Sequence, residues 1–184
     1  LFSVADEKKQ EKILKNVLEN DEIPAITTPY FNFFELDVLC RMGKLTEVLD
    51  KIRSYWGGML DLGAVTFWEE YDPSVPKEEQ YDMYGDHFGK SLCHAWAASP
   101  IYFLAKYFAG LDLVNKDGVT YILKPQMQYF TELDCTLPVG SNGVVRLVWD
   151  GEILEITPNA DGGILELGEQ KLSLVRGETR RVKI

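Results

Sequence analysis

Gly63-Ala64-Val65-Thr66-Phe67-Trp68-Glu69-Glu70-Tyr71-Asp72 sets three acids within four positions, beside Trp68 and Tyr71. Neither a helical nor a strand period accounts for the whole stretch, and Pro73 and Pro76 follow it. Carboxylates set against aromatic faces suit carbohydrate chemistry. Rings stack on the apolar face of a sugar, while acids grip hydroxyls or move protons. The same residues also read as an acidic surface loop with two anchoring aromatics, so the flanking chain has to decide between the two.

Upstream the pattern is helical. Residues 5–20 carry an apolar stripe of Ile13, Leu14, Val17 and Leu18, with Lys8, Lys9, Lys12 and Lys15 mostly off it. Thr28-Pro29 is a strong helix start, and the helix from Tyr30 to Met42 meets a natural left-handed cap at Gly43. Phe31, Phe34, Leu36, Val38 and Leu39 give it a heavy face. A third helix runs from about Lys44 to Tyr55, with Leu45, Val48, Leu49, Ile52, Tyr55 and Trp56 spaced for burial. The short Gly43 turn predicts an αα-hairpin. Gly57-Gly58 is expected to break the third helix.

Downstream, residues 70–90 hold two prolines, two glycines and the aromatics Tyr81, Tyr84 and Phe88. That is too aromatic for a disordered linker and predicts an ordered loop over a cleft. Ser91–Ala98 reads as helix, and the helical pattern resumes after Ser99-Pro100 and continues to Gly110. At about Leu111 the period becomes alternating. Val119, Tyr121 and Leu123 follow the turn Asn115-Lys116-Asp117-Gly118. Leu133, Cys135 and Leu137 precede Gly140-Ser141-Asn142-Gly143, and Val145, Leu147 and Trp149 precede the hairpin signal Asp150-Gly151. With the segments after Asp161-Gly162-Gly163, six or seven short strands predict a small antiparallel sandwich. The expected division is a helical part over 1–112 and a β-domain over 113–184. Helix hairpins followed by long loops are the pattern of an α/α toroid. Four helices cannot close such a ring, which leaves a small bundle or the last part of a larger barrel.

At 184 residues, with 46% apolar and 12% aromatic residues, the chain can bury a substantial core. A net charge of −10 and a pI near 4.7 argue against nucleic acid and an anionic membrane surface as partners. Cys40, Cys93 and Cys135 lack metal-ligand spacing and read as free, buried thiols. No stretch is long and apolar enough to span a bilayer. The chain begins at Leu1, so the true N-terminus is expected upstream and the localisation is not legible from this end.

Three stretches resemble the C-terminal end of bacterial α-L-rhamnosidases, glycoside hydrolase family 78. They are Thr28-Pro29-Tyr30-Phe31 with the helix to Gly43, Trp56 through Glu69, and Ser91-Leu92-Cys93-His94-Ala95-Trp96-Ala97 through Pro100. Tyr121-Ile122-Leu123-Lys124-Pro125-Gln126 is similar to the start of that family's C-terminal β-domain. The resemblance implies the last helical hairpins of an (α/α)6 toroid followed by a small antiparallel β-sandwich.

It also implies roles. The family's general base, the Glu of its Trp-Glu motif, falls on Glu69, and its rhamnose-contacting His falls on His94. In inverting hydrolysis the base sits across the sugar from the leaving group and takes a proton from the attacking water. Glu70 as base, or both acids as surface residues, is the competing reading, and His94 as a core histidine competes likewise. Trp68 and Trp96 are candidates to wall the same pocket, and each reads equally as core. A zinc site from His87, Cys93 and His94 lacks a fourth ligand. No cofactor and no metal are expected.

The family's general acid lies upstream of residue 1, so the chain is expected to be inactive alone. The whole protein would be an α-L-rhamnosidase-like glycosidase acting on glycans or glycosides. The alternative is a non-catalytic carbohydrate-binding or assembly module of the same fold. The surplus of aromatics on the helices predicts cover by the rest of its own polypeptide or self-association into a homo-oligomer.

Overall fold

A computed structural model of the protein describes residues 4–114, 120–141 and 143–184. The expected turn at Asn115-Lys116-Asp117-Gly118 with Val119, and Asn142, lie outside the described residues. The chain divides into two compact units, Leu1–Pro100 and Ile101–Ile184.

The first unit is built on helices. α1 spans Glu7–Ile13, capped by Asp6, whose carboxylate accepts from the Lys9 amide, and passes into a π-type turn over Leu14–Leu18. Of the expected stripe only Leu14 is buried. α2 spans Pro29–Arg41 with Thr28 before its proline. It ends where Gly43 takes a φ of +75° and the Lys44 amide bonds back to the Leu39 carbonyl at 2.9 Å. That left-handed closure is why the next helix starts at once. α3 spans Leu45–Lys51 and packs on α2 as the hairpin expects. Leu36, Leu39, Val48, Leu49, Tyr55, Trp56 and Met59 are buried.

Gly57-Gly58 does not break this helix. A π-type turn over Ile52–Trp56 leads into α4, Gly57–Asp61. Tertiary packing explains the glycine. A Cβ on Gly58 would lie 2.4 Å from the Tyr71 hydroxyl oxygen, so the missing side chain is the seat of the Tyr71 ring. Nothing lies within 4 Å of a Cβ on Gly57.

The expected helix over 91–98 is also corrected. Residues 91–94 form no helix, with bends at Leu92 and Cys93 and an extended backbone at His94; a single 3-10 turn covers Ala95–Ala97, and α5 begins only at Ser99, spanning Ser99–Phe103. The backbone of 91–94 instead pairs with 67–69, as described below. Among the described residues there is no helical toroid.

The second unit carries two four-stranded sheets. β1 (Leu111–Leu113), β2 (Tyr121–Leu123), β6 (Gly163–Leu167) and β7 (Gln170–Leu174) lie in the order β1-β2-β6-β7. β3 (Leu133–Val139), β4 (Gly143–Trp149), β5 (Ile153–Pro158) and β8 (Arg180–Lys183) form the other sheet in the order β3-β4-β5-β8. All pairings are antiparallel except β2 with β6, which is parallel. The alternation read from the sequence appears in the burial: Leu137 and Val139 on β3, and Val145, Leu147 and Trp149 on β4, all point into the core with Leu154, Ile156 and Leu165. The Asp150-Gly151 turn holds Glu152 as well. The Asp150 carboxylate accepts from the Glu152 and Ile153 amides, and Gly151 takes a φ of +97°.

Candidate active site

Residues 66–69 and 91–94 lie side by side and hold each other by backbone bonds. The Glu69 amide donates to the Ser91 carbonyl at 2.9 Å, and the His94 amide donates to the Phe67 carbonyl at 2.8 Å. The Thr66 hydroxyl adds a bond to the Leu92 carbonyl. This pairing brings Glu69 to His94 across 25 positions of sequence. The turn after His94 is pinned from below, where the buried Trp56 indole donates to the Ala97 carbonyl at 2.8 Å.

Glu69 is nearly buried, and both of its carboxylate oxygens are held. Oε1 accepts from the Tyr84 hydroxyl at 2.8 Å, and Oε2 accepts from the Ser91 amide at 3.1 Å. His94 Nδ1 lies 3.8 Å from Oε2, within ion-pair range but beyond a hydrogen bond. Burial by itself pushes the Glu69 carboxyl up. The Ser91 amide, the Tyr84 hydroxyl and the charges of His94 and Lys90 together outweigh it and hold the carboxyl below its usual range. Glu69 is therefore an ionised carboxylate at neutral pH, able to accept a proton.

Glu70 has a different setting. Its Oε1 accepts from the Thr27 hydroxyl at 2.8 Å, and its Oε2 lies 3.8 Å from the ammonium of Lys90. The Lys90 side chain is buried, and burial pulls its ammonium down against the opposing pull of Glu70 and Asp72. Glu70 thus ties the segment to the helical unit, next to Tyr71, whose amide donates to the Thr27 carbonyl at 3.0 Å. Tyr55 donates to the same carbonyl at 2.6 Å, and its burial pushes the phenol well above its ordinary value.

The two candidate tryptophans part company. Trp68 is 3% exposed and packs on Tyr81 at 5.7 Å between ring centroids. It anchors the loop that follows and offers no face to a ligand. Trp96 is 51% exposed, with its ring centroid 4.2 Å from that of His94 and 5.2 Å from that of Tyr30. Tyr30 and Phe31, at the start of α2, extend this aromatic surface. Carboxylate, imidazole and an exposed indole thus lie together, the combination that grips sugar hydroxyls and stacks on a sugar's apolar face.

Residues 70–90 are the ordered loop the aromatics predicted. The buried Gln80 amide donates to the Asp72 and Val75 carbonyls, and the Lys90 amide donates to the Tyr81 carbonyl. His87 pairs with Asp82 at 2.5 Å, and Cys93 is exposed where a buried thiol was expected. Cys40 is buried and Cys135 half-buried. Among the described residues no group of three His, Cys, Asp or Glu side chains is arranged to hold a metal ion.

Reasoning from sequence missed Tyr84, Tyr30 and Lys90 as members of this cluster. Tyr84 carried one local signal, Tyr84-Gly85 flanked by Met83 and Asp86. That is the length of a two-residue turn, with tyrosine where asparagine or glycine is usual.

No protein-family model matches the chain, and no curated protein sequence matches it. Among solved structures it is similar to a family 78 rhamnosidase of Bacillus sp. GL1, with a TM-score of 0.67 and 23% identity over 90% of this chain. The chain spans 18% of that protein's length. The fold is therefore shared with a part of that much longer chain: the two-sheet β part fits the resemblance, and no helical toroid is present among the described residues.

Proposed function

We propose that this chain is a C-terminal piece of an inverting glycoside hydrolase that releases terminal α-L-rhamnose, with Glu69 as general base and His94 and Trp96 as sugar contacts. The observation that carries the reading is the Glu69 site. An ionised, nearly buried carboxylate, held by two donors, lies 3.8 Å from the imidazole of His94 and beside an exposed tryptophan. In this role Glu69 takes the proton of a water attacking the anomeric carbon, and an upstream carboxylic acid protonates the leaving oxygen. The shared fold with the Bacillus rhamnosidase supports the choice of reaction class. Glu70 is the weaker candidate because its contacts run to Thr27 and Lys90, whereas Glu69 pairs with His94 beside the exposed Trp96. The exposed site surface, from Tyr84 to Trp96, would be walled by the rest of its own polypeptide.

The exposed Trp96 and Tyr30 faces equally serve a module that binds sugar without cleaving it. Substitution separates the two readings. In the full-length protein, Glu69→Gln should lower turnover of an aryl α-L-rhamnoside by on the order of 10²–10⁴ and leave the fold intact. Glu70→Gln should retain turnover. A protein that binds rhamnosides but never cleaves them would be the binding module. Near-native activity in Glu69→Gln would remove Glu69 from the mechanism.

A further inference from the structure

We infer that Tyr84 is a positioning residue for Glu69: a strained two-residue turn carries its hydroxyl onto the carboxylate and fixes the orientation in which Glu69 takes a proton. The inference rests on the hydrolase reading above and deepens it.

The first observation is backbone strain. Tyr84 has a φ of +56°, and among the described residues no other non-glycine has a positive φ. Met83 and Asp86 exchange both backbone hydrogen bonds at 3.0 Å, and Gly85 has a φ of +81°. Two positive φ values inside such a pair are the signature of the turn that favours Asn-Gly. A tyrosine is a poor choice for the turn itself. The returning chain also backs the turn closely, since a Cβ on Gly89 would lie 2.2 Å from the Met83 carbonyl oxygen.

The second observation is what the strained residue does. Its side chain is not there for burial, because Tyr84 is 80% exposed. Its hydroxyl donates to Glu69 Oε1 at 2.8 Å, across 15 positions of sequence. The Ser91 amide holds the other oxygen from the opposite segment. Two donors from two segments therefore fix the carboxylate and leave it further lone pairs for a water. Strain kept at a residue of this kind is a mark of function when a specific contact accounts for it.

The titratable groups around Glu69 are Tyr84 from the turn, Lys90 and His94 from the returning segment, and Glu70 beside it in sequence. Only the Tyr84 phenol stays neutral across the acidic range while donating to the carboxylate. Removing it should therefore raise the pH at which Glu69 ionises.

The test uses the full-length protein and the variants Tyr84→Phe and Tyr84→Asn. Phenylalanine keeps the ring and loses the donor, whereas asparagine loses the donor and relaxes the turn. Two readouts are taken: the titration of the Glu69 carboxyl followed by carbon NMR, and the pH profile of kcat/KM on an aryl α-L-rhamnoside. Both variants should move the Glu69 titration and the acidic limb of the profile upward together. Their kcat at neutral pH should fall roughly tenfold, the size of one lost hydrogen bond to a charged group. Tyr84→Asn should melt no lower than Tyr84→Phe. A Glu69 titration and an acidic limb both unmoved in the two variants would overturn the proposal. Failure of the hydrolase reading shows separately, as a parent protein without turnover, and the NMR titration still decides the role of Tyr84 in that case.

Discussion

Replacing each of the two adjacent glycines in α4 by alanine should have opposite effects. Gly57 has a helical φ of −61°, and no atom lies within 4 Å of a Cβ placed there. Glycine in a helix interior is about 0.8–1.0 kcal/mol worse than alanine, so Gly57→Ala should stabilise by up to that amount. Gly58→Ala gains the same propensity, but its Cβ would sit 2.4 Å from the Tyr71 hydroxyl oxygen and 2.5 Å from the ring carbon bearing it. Overpacking typically costs about 1–3 kcal/mol. Tyr71 has little freedom to yield, since its ring lies 5.6 Å from Tyr55 and its amide is bonded to Thr27. Gly58→Ala should therefore range from neutral to about 2 kcal/mol destabilising, and fall about 1–3 kcal/mol below Gly57→Ala. Urea unfolding followed by the fluorescence of the buried Trp56 and Trp68 measures the difference. One kcal/mol moves such a midpoint by roughly 0.3–1 M. In a Tyr71→Ala background the penalty should vanish and Gly58→Ala should behave like Gly57→Ala, giving a coupling energy close to the whole overpacking cost. If Gly58→Ala is as stable as Gly57→Ala with Tyr71 in place, the ring is not seated on Gly58 and the packing account of the glycine pair is wrong.

Three further outcomes follow from the site and its surroundings. Trp96→Ala should raise KM by roughly tenfold through loss of a stacking face and leave the melting temperature unchanged, because Trp96 is exposed. Trp68→Ala should instead destabilise by about 3–5 kcal/mol, because Trp68 is core. The Glu69 carboxyl lies below its usual range in the folded protein, so it contributes stability above its unfolded value that is lost as pH falls through the folded one. In acid titrations followed by circular dichroism, Glu69→Gln should therefore narrow the stability gap between pH 7 and pH 3; an unchanged gap would show that Glu69 gains nothing from its donors.

What the sequence disclosed was local. Thr28-Pro29, the apolar spacing to Leu39 and the turn at Gly43 are short-range signals, and α2, the turn and α3 form where they point. The alternation of Leu137, Val145, Leu147 and Trp149 likewise named the inward faces of β3 and β4. Long-range contacts account for the rest. Ser91–Ala97 has small and apolar residues that suit a helix, yet its backbone groups at Ser91 and His94 are taken by Glu69 and Phe67. Gly57-Gly58 has the composition of a helix break, but Tyr71, distant in sequence, makes Gly58 a packing notch. Glu69 and His94 were legible as a pair through the family resemblance. Tyr84 was not, since nothing near it in sequence says that its hydroxyl reaches Glu69.

The most direct test of the central claim is proton NMR of the full-length protein cleaving an aryl α-L-rhamnoside, read at the anomeric signals in the first minutes. With Glu69 as general base, the first sugar released is the β-anomer, and Glu69→Gln abolishes its appearance. Release of the α-anomer first, or undiminished release by Glu69→Gln, would contradict the assignment.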